Sequence, residues 1–162
     1  MEILKFNDFI SEGEKAATRR MAVGVAVVYD NKILLIHPTN ASWRKPTCGI
    51  PKGGIEPGEE PIDGALRELM EETGIALSPD QLESETYRTY FYNSHNEVTG
   101  QLVYFVCKVS DLSEIGLSSE KVPKSQLQLE EVDWAKFISA KEAYPLISRE
   151  QLIILDRHLS FS

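Results

Sequence analysis

The segment PIDGALRELMEETG, Pro61 to Gly74, constrains this chain more than any other. Pro61 suits the first position of a helix, where a missing backbone N–H costs nothing, and Gly74 suits the left-handed residue just past its end. Between them Ile62, Ala65, Leu66, Leu69 and Thr73 recur at helical spacing, so the stretch is expected to be a helix with one face in a core. Glu68, Glu71 and Glu72 stand at i, i+3 and i+4 of the same helix. Like charges so placed repel by a few tenths of a kcal/mol per pair. A cation must compensate if they pack near the interior. Arg67, four residues before Glu71, is one candidate and a divalent ion is the other. Carboxylate oxygens are hard ligands, which suits Mg²⁺ or Mn²⁺ and not zinc.

The residues before this helix suit a different chemistry. Pro51-Lys52-Gly53-Gly54 and Glu56-Pro57-Gly58 make a glycine-bearing loop that enters the helix N-terminus. Such a loop can turn backbone N–H groups toward phosphate, and Lys52 adds a positive charge. A phosphate grip beside a carboxylate cluster predicts metal-assisted phosphoryl chemistry. Composition narrows the partners. The chain has 162 residues and a net charge of −8, so a broad duplex-binding face is disfavoured while a local basic pocket stays open. Cys48 and Cys107 do not make a disulfide framework, and two reduced thiols are expected. No apolar run reaches membrane-span length, and MEILKFNDF does not resemble a signal peptide, so the expected location is the cytoplasm.

One domain over residues 21–162 is expected, preceded by an arm or short helix over residues 1–20. Met21–Tyr29 reads as a buried strand, Asp30-Asn31 as a turn, and Lys32–Ile36 as the returning strand. Residues 38–49 read as a loop. Tyr87–Asn93 and Leu102–Val109 read as strands joined by SHNEVTG, residues 111–126 as irregular, and Val132–Phe137 as a short strand. Ser148 is expected to open a C-terminal helix in a capping box with Gln151, with Leu152, Leu155 and Leu159 as its apolar stripe. Interleaved strands and helices predict α/β or α+β architecture.

The pattern G-x5-E-x7-R-E-U-x-E-E-x-G-U, with U aliphatic, runs without a gap through Gly53, Glu59, Arg67, Glu68, Leu69, Glu71, Glu72, Gly74 and Ile75, 23 residues in all. It resembles the signature of the Nudix hydrolases. That resemblance implies an α/β/α sandwich around a mixed β-sheet. It also implies hydrolysis of a nucleoside diphosphate linked to another group, with Mg²⁺ or Mn²⁺ and attack by activated water. It implies Glu68 and Glu72 as principal metal ligands, Glu71 as a ligand or base, and the Lys52 carbonyl as a further contact. Glu68 and Glu71 are thus the catalytic candidates. Glu59, Arg67 and Gly74 are implied to be structural. An additional acid often comes from outside the signature; Glu131 is the first choice and Glu130 the second.

The stretch GIPKGGIEPGEE resembles diadenosine polyphosphate hydrolases and diphosphoinositol polyphosphate phosphohydrolases. Lys52, Gly53, Gly54 and Arg44 are the expected phosphate-contacting residues. Tyr90 and Tyr92 share a face of their strand and are candidates for stacking on a base. A dinucleoside polyphosphate is the expected substrate. The alternatives are a pyrophosphohydrolase for nucleoside triphosphates or RNA 5′ ends, a diphosphoinositol phosphohydrolase, and a non-catalytic nucleotide sensor. His37 is expected to be a loop histidine. The sequence carries no reading of oligomeric state.

Overall fold

A computed structural model describes residues 20–161. Strand β1, Met21–Tyr29, is buried along nearly its whole length. Met21, Val23, Val25 and Val27 join one apolar cluster, and Ala22, Ala26 and Val28 join another on the opposite face. A strand covered on both sides needs apolar residues at every position, which explains the unbroken Val-rich run. Asp30 and Asn31 then adopt φ of 52° and 56°. Positive φ at both central residues is what a tight hairpin requires, and β2, Lys32–Pro38, returns.

The two edges of β1 are used differently. One pairs in parallel with β5, Val98–Val109, from Met21↔Gln101 to Tyr29↔Val109. The other edge is shared. Val28 and Tyr29 pair with β2, whereas Ala22, Val23 and Gly24 pair with the three residues of β3, Lys52–Gly54. β4, Tyr87–Tyr92, lies antiparallel on the far side of β5, and β6, Val132–Ser139, lies antiparallel on β2. The order is β4-β5-β1-β2-β6, with β3 on β1. The sheet is mixed, as expected.

Helix α1 occupies Pro61–Thr73, the expected bounds, and ends on Gly74 at φ 75°. It covers one face with Ala65 and Leu69 fully buried, each apolar side chain of Leu size contributing about 1.5–3 kcal/mol. The other face is covered by α2, Ala140–Ala143, and α3, Leu152–His158, whose Ala140, Ala143, Ile154 and Leu155 enter the second cluster. The result is an α/β/α sandwich. β5 begins four residues before the expected Leu102, and β6 runs on to Ser139. Among the described residues, no helix is long and apolar enough to cross a membrane.

Three local expectations change. Ser148 makes no side-chain cap; a 3-10 turn, Arg149–Gln151, precedes α3. A capping box forms instead at Ser139 and Glu142, opening α2. The irregular segment after β5 is no idle loop: Leu112, Ile115, Leu117, Val122 and Leu127 pack into the cluster under α1. Gln126 Nε2 from this segment donates to the Thr73 carbonyl at 3.1 Å. The expected arm over residues 1–20 lies outside the described residues except for Arg20, whose guanidinium sits 4.1 Å over the Phe91 ring.

Candidate active site

The site begins where α1 docks on β3. Glu68 and Glu72 face the sheet and are only 9% and 8% exposed. Glycine at residue 53 lets the Glu68 carboxylate lie against the strand. A Cβ at that position would stand 2.2–2.4 Å from the carboxylate atoms of Glu68. One turn further on, Glu72 Oε1 accepts a hydrogen bond from the Lys52 backbone N–H at 3.1 Å. The glycine-bearing strand and the helix are thus locked together through two carboxylates.

Arg67 organises the other side. Its Nε donates to Glu59 Oε2 at 2.8 Å and its Nη2 to Glu59 Oε1 at 2.9 Å, a bidentate fork. Nη1 reaches Glu68 at 2.8 Å and Glu71 at 3.3 Å, and Nη2 also donates to the Gly54 carbonyl at 3.1 Å. Glu59 in turn accepts from the Glu56 N–H at 2.9 Å. A planar guanidinium satisfies all of these partners where a lysine could not. The hydrogen bonds from Arg67 hold the Glu59 carboxyl below the usual range.

The buried acids differ. Burial raises the Glu68 carboxyl, opposed by Arg67. Burial pushes the Glu72 carboxyl up to about 8, opposed by the Lys52 N–H and ammonium and reinforced by Glu68 and Glu131. Glu131 adds a smaller push in the same direction on both. A cleft of about 220 Å³ opens there, lined among others by Lys52, Glu72, Glu131, Gly49, Thr47 and Gln151. Among the described residues, no three His, Cys, Asp or Glu side chains stand as a ready metal cage, and Arg67 bonds both Glu68 and Glu71. The donor set nevertheless fits a hard divalent ion. It is all oxygen, and Glu72 is a buried carboxylate that a cation would relieve.

The loop before β3 is held from both faces. Gly49 exchanges backbone hydrogen bonds with Ile36 of β2, and Cys48 with Leu146 and Ser148 of the C-terminal segment. The Ile50 N–H donates to Gln151 Oε1 at 2.9 Å, and Gln151 is 1% exposed. Gln151 was expected as a cap; it instead pins the loop that carries the site. The signal for that role lies in its phase, because Gln151 shares a buried face with Ile154 and Leu155.

Other expected site residues fall elsewhere. Gly54 contributes its carbonyl to Arg67. Arg44 is exposed in the preceding loop and does not line the cleft. Tyr90 and Tyr92 are exposed and line a second groove, not the cleft beside the carboxylates. His37 is no loop residue. It is buried on β2, its Nδ1 lies 2.7 Å from Asp133 Oδ1, and its ring stacks on Trp43 at 3.8 Å.

Residues 18–152 match the NUDIX domain family. The m7GpppN-mRNA hydrolase NUDT17 of Danio rerio is 35% identical over 86 residues, covering 51% of this chain and 29% of that protein. The RNA pyrophosphohydrolase of Bartonella clarridgeiae is 34% identical over 96 residues, covering 55% and 54%. This chain therefore spans little more than half the length of the second relative and under a third of the first. Among solved structures, the C. elegans Ap4A hydrolase binary complex superposes with a TM-score of 0.60 at 18% identity, over 85% of this chain and 93% of that one. With the domain match running from the residues before β1 into the turn that carries Gln151, the chain belongs to the NUDIX domain family.

Proposed function

We propose that this chain hydrolyses a pyrophosphate bond in a nucleoside diphosphate linked to another group, using Mg²⁺ or Mn²⁺. One observation carries the reading: Glu68 and Glu72 are buried against Lys52–Gly54, and Glu131 lines the same cleft as Glu72. Burying carboxylates with a single guanidinium for compensation is costly, and a phosphate-handling divalent ion accounts for it. Glu68, Glu72 and the Lys52 carbonyl would hold the ion, and Glu131 would complete the set. When bound, the ion supplies charge neutralisation for the diphosphate and lowers the pKa of the attacking water. Glu71, half-exposed beside Arg67, would accept the proton from the attacking water. Lys52 binds a phosphate oxygen and draws the anhydride toward the acids. Arg67, through Glu59 and Gly54, keeps loop and helix in register.

The first substrate reading is a dinucleoside polyphosphate, whose phosphates suit Lys52 and the glycine turn. The placement of Tyr90 and Tyr92 outside the cleft favours a second reading, a substrate that extends beyond it, such as a 5′-polyphosphorylated RNA. The test is a substrate panel of diadenosine tetraphosphate, nucleoside triphosphates, diphosphoinositol polyphosphate and 5′-triphosphorylated RNA, with and without Mg²⁺. Product analysis separates AMP plus ATP from monophosphate plus pyrophosphate. No metal-dependent turnover of any member, with tight binding of one, would replace the enzyme reading by a sensor.

A further inference from the structure

The second groove is larger than the cleft beside the carboxylates. It encloses about 480 Å³ along β4 and is lined by Arg88, Tyr90, Tyr92, Arg149 and Arg157, with Glu150 among the remainder. That volume is in the range of pockets that hold a nucleotide-sized ligand. Among the described residues its lining sets Arg149 and Arg157 against Glu150, with Arg88 engaged by Gln101 at 3.0 Å, in a chain whose net charge is −8. Arg157 is fixed in place by bonds to the Arg88 carbonyl at 2.9 Å and to Tyr104 Oη at 3.2 Å. Arg149 is exposed. Tyr90 and Tyr92 are 42% and 59% exposed on the same strand, an unusual placement for rings that would ordinarily pack inward.

The two hollows adjoin. Glu150 lines both, and the turn Arg149–Gln151 sends Arg149 to the groove and Gln151 to the cleft. A ligand whose diphosphate sits at Lys52 and Glu72 can therefore continue past Glu150 into a basic, aromatic channel. Arginines beside exposed aromatic rings are the combination that tracks a sugar–phosphate backbone while bases stack. Resting on the hydrolase reading above, we infer that the groove along β4 binds the single-stranded nucleotide chain of a 5′-phosphorylated RNA. Its successive phosphates meet Arg149 and Arg157, and its bases stack on Tyr90 and Tyr92. A lone distal nucleoside would leave these guanidiniums without a phosphate.

The test uses the full chain and a 5′-monophosphorylated RNA of about six nucleotides, a length within known single-strand site sizes. This probe has no anhydride to cleave. Binding by fluorescence anisotropy is expected to weaken about tenfold in Arg149→Glu, and the log–log salt slope to fall by about 0.7, the loss of one phosphate contact. Tyr92→Ala is expected to lose about tenfold through stacking. A duplex of the same length should compete poorly. No binding of the RNA, or equal affinity and salt slope in wild type, Arg149→Glu and Tyr92→Ala, would overturn the inference. RNA binding sensitive to both substitutions in a protein that cleaves no anhydride would sustain the groove and sink only the hydrolase reading.

Discussion

Two buried polar residues grip the same loop from opposite faces. Glu72 on α1 takes the Lys52 N–H, and Gln151 beside α3 takes the Ile50 N–H two residues away. Their geometry is alike, at 3.1 and 2.9 Å, but their chemistry is not. Gln151 is neutral, and its carbonyl does for Ile50 what a backbone partner would do. Glu72 carries a carboxyl that burial raises to about 8 and that Glu68 and Glu131 crowd further. An amide would hold Lys52 equally well. A carboxylate kept where an amide suffices for structure marks the side of the loop where charge has work to perform.

The sharpest way to break this contrast is Glu72→Gln. The bond to Lys52 survives, so the fold is expected to persist, while metal-dependent turnover falls by about 100-fold or more. Near-normal kcat with Mg²⁺ would erase the distinction between the two residues. Arg67→Lys comes next. Losing the fork to Glu59 and the bonds to Glu68 and Gly54 should cost about 2–4 kcal/mol in chemical denaturation, with kcat falling as loop and helix lose register. Gln151→Leu should cost about 1–3 kcal/mol by leaving the Ile50 N–H buried and unpaired. Its residual folded protein should keep kcat far better than Glu72→Gln does. If both variants lost activity alike, Gln151 would belong to the reacting site.

A further expected effect is on pH. A carboxyl raised in the folded state keeps its proton there while the unfolded chain has lost it. Metal-free stability should therefore fall as pH rises from about 4.5 toward about 8. Mg²⁺ should oppose that fall, and Glu72→Gln should flatten the curve. Thermal melts across this window, with and without Mg²⁺, provide the check; a curve unchanged by the substitution would assign the slope to other groups.

Most of this frame was legible in advance for a local reason. Helix α1 announces itself through Pro61, Gly74 and a repeating apolar face, all within fourteen residues. The hairpin of β1 and β2 is equally local, set by Asp30 and Asn31. Glu68 and Glu72 sit on that same helix, so their shared direction followed from their spacing. What stayed hidden depends on partners far apart in the chain. Gln151 meets Ile50 across 101 positions, and His37 meets Asp133 across 96. No periodicity reports such pairs. The tyrosines of β4 were correctly placed on one face, but which hollow they line depends on where the C-terminal turn lands. The segment after β5 looked featureless because its buried residues, Leu112, Ile115, Leu117 and Val122, follow neither a helical nor a strand period.

Besides its apolar packing, that segment reaches the end of α1 through an amide. Gln126 Nε2 grips the Thr73 carbonyl, and the Gln126 side chain leaves Gly74 no room for a Cβ without crowding at 3.0 Å. A length change between residues 111 and 126 would drag on the end of α1. One residue of axial slip is about 1.5 Å. Errors of about 1 Å in reactive geometry can cost about 100-fold in rate. Relatives that vary in this distant stretch would then differ in speed with every acid intact, and grafting the stretch between them offers a throttle that leaves the catalytic side chains untouched.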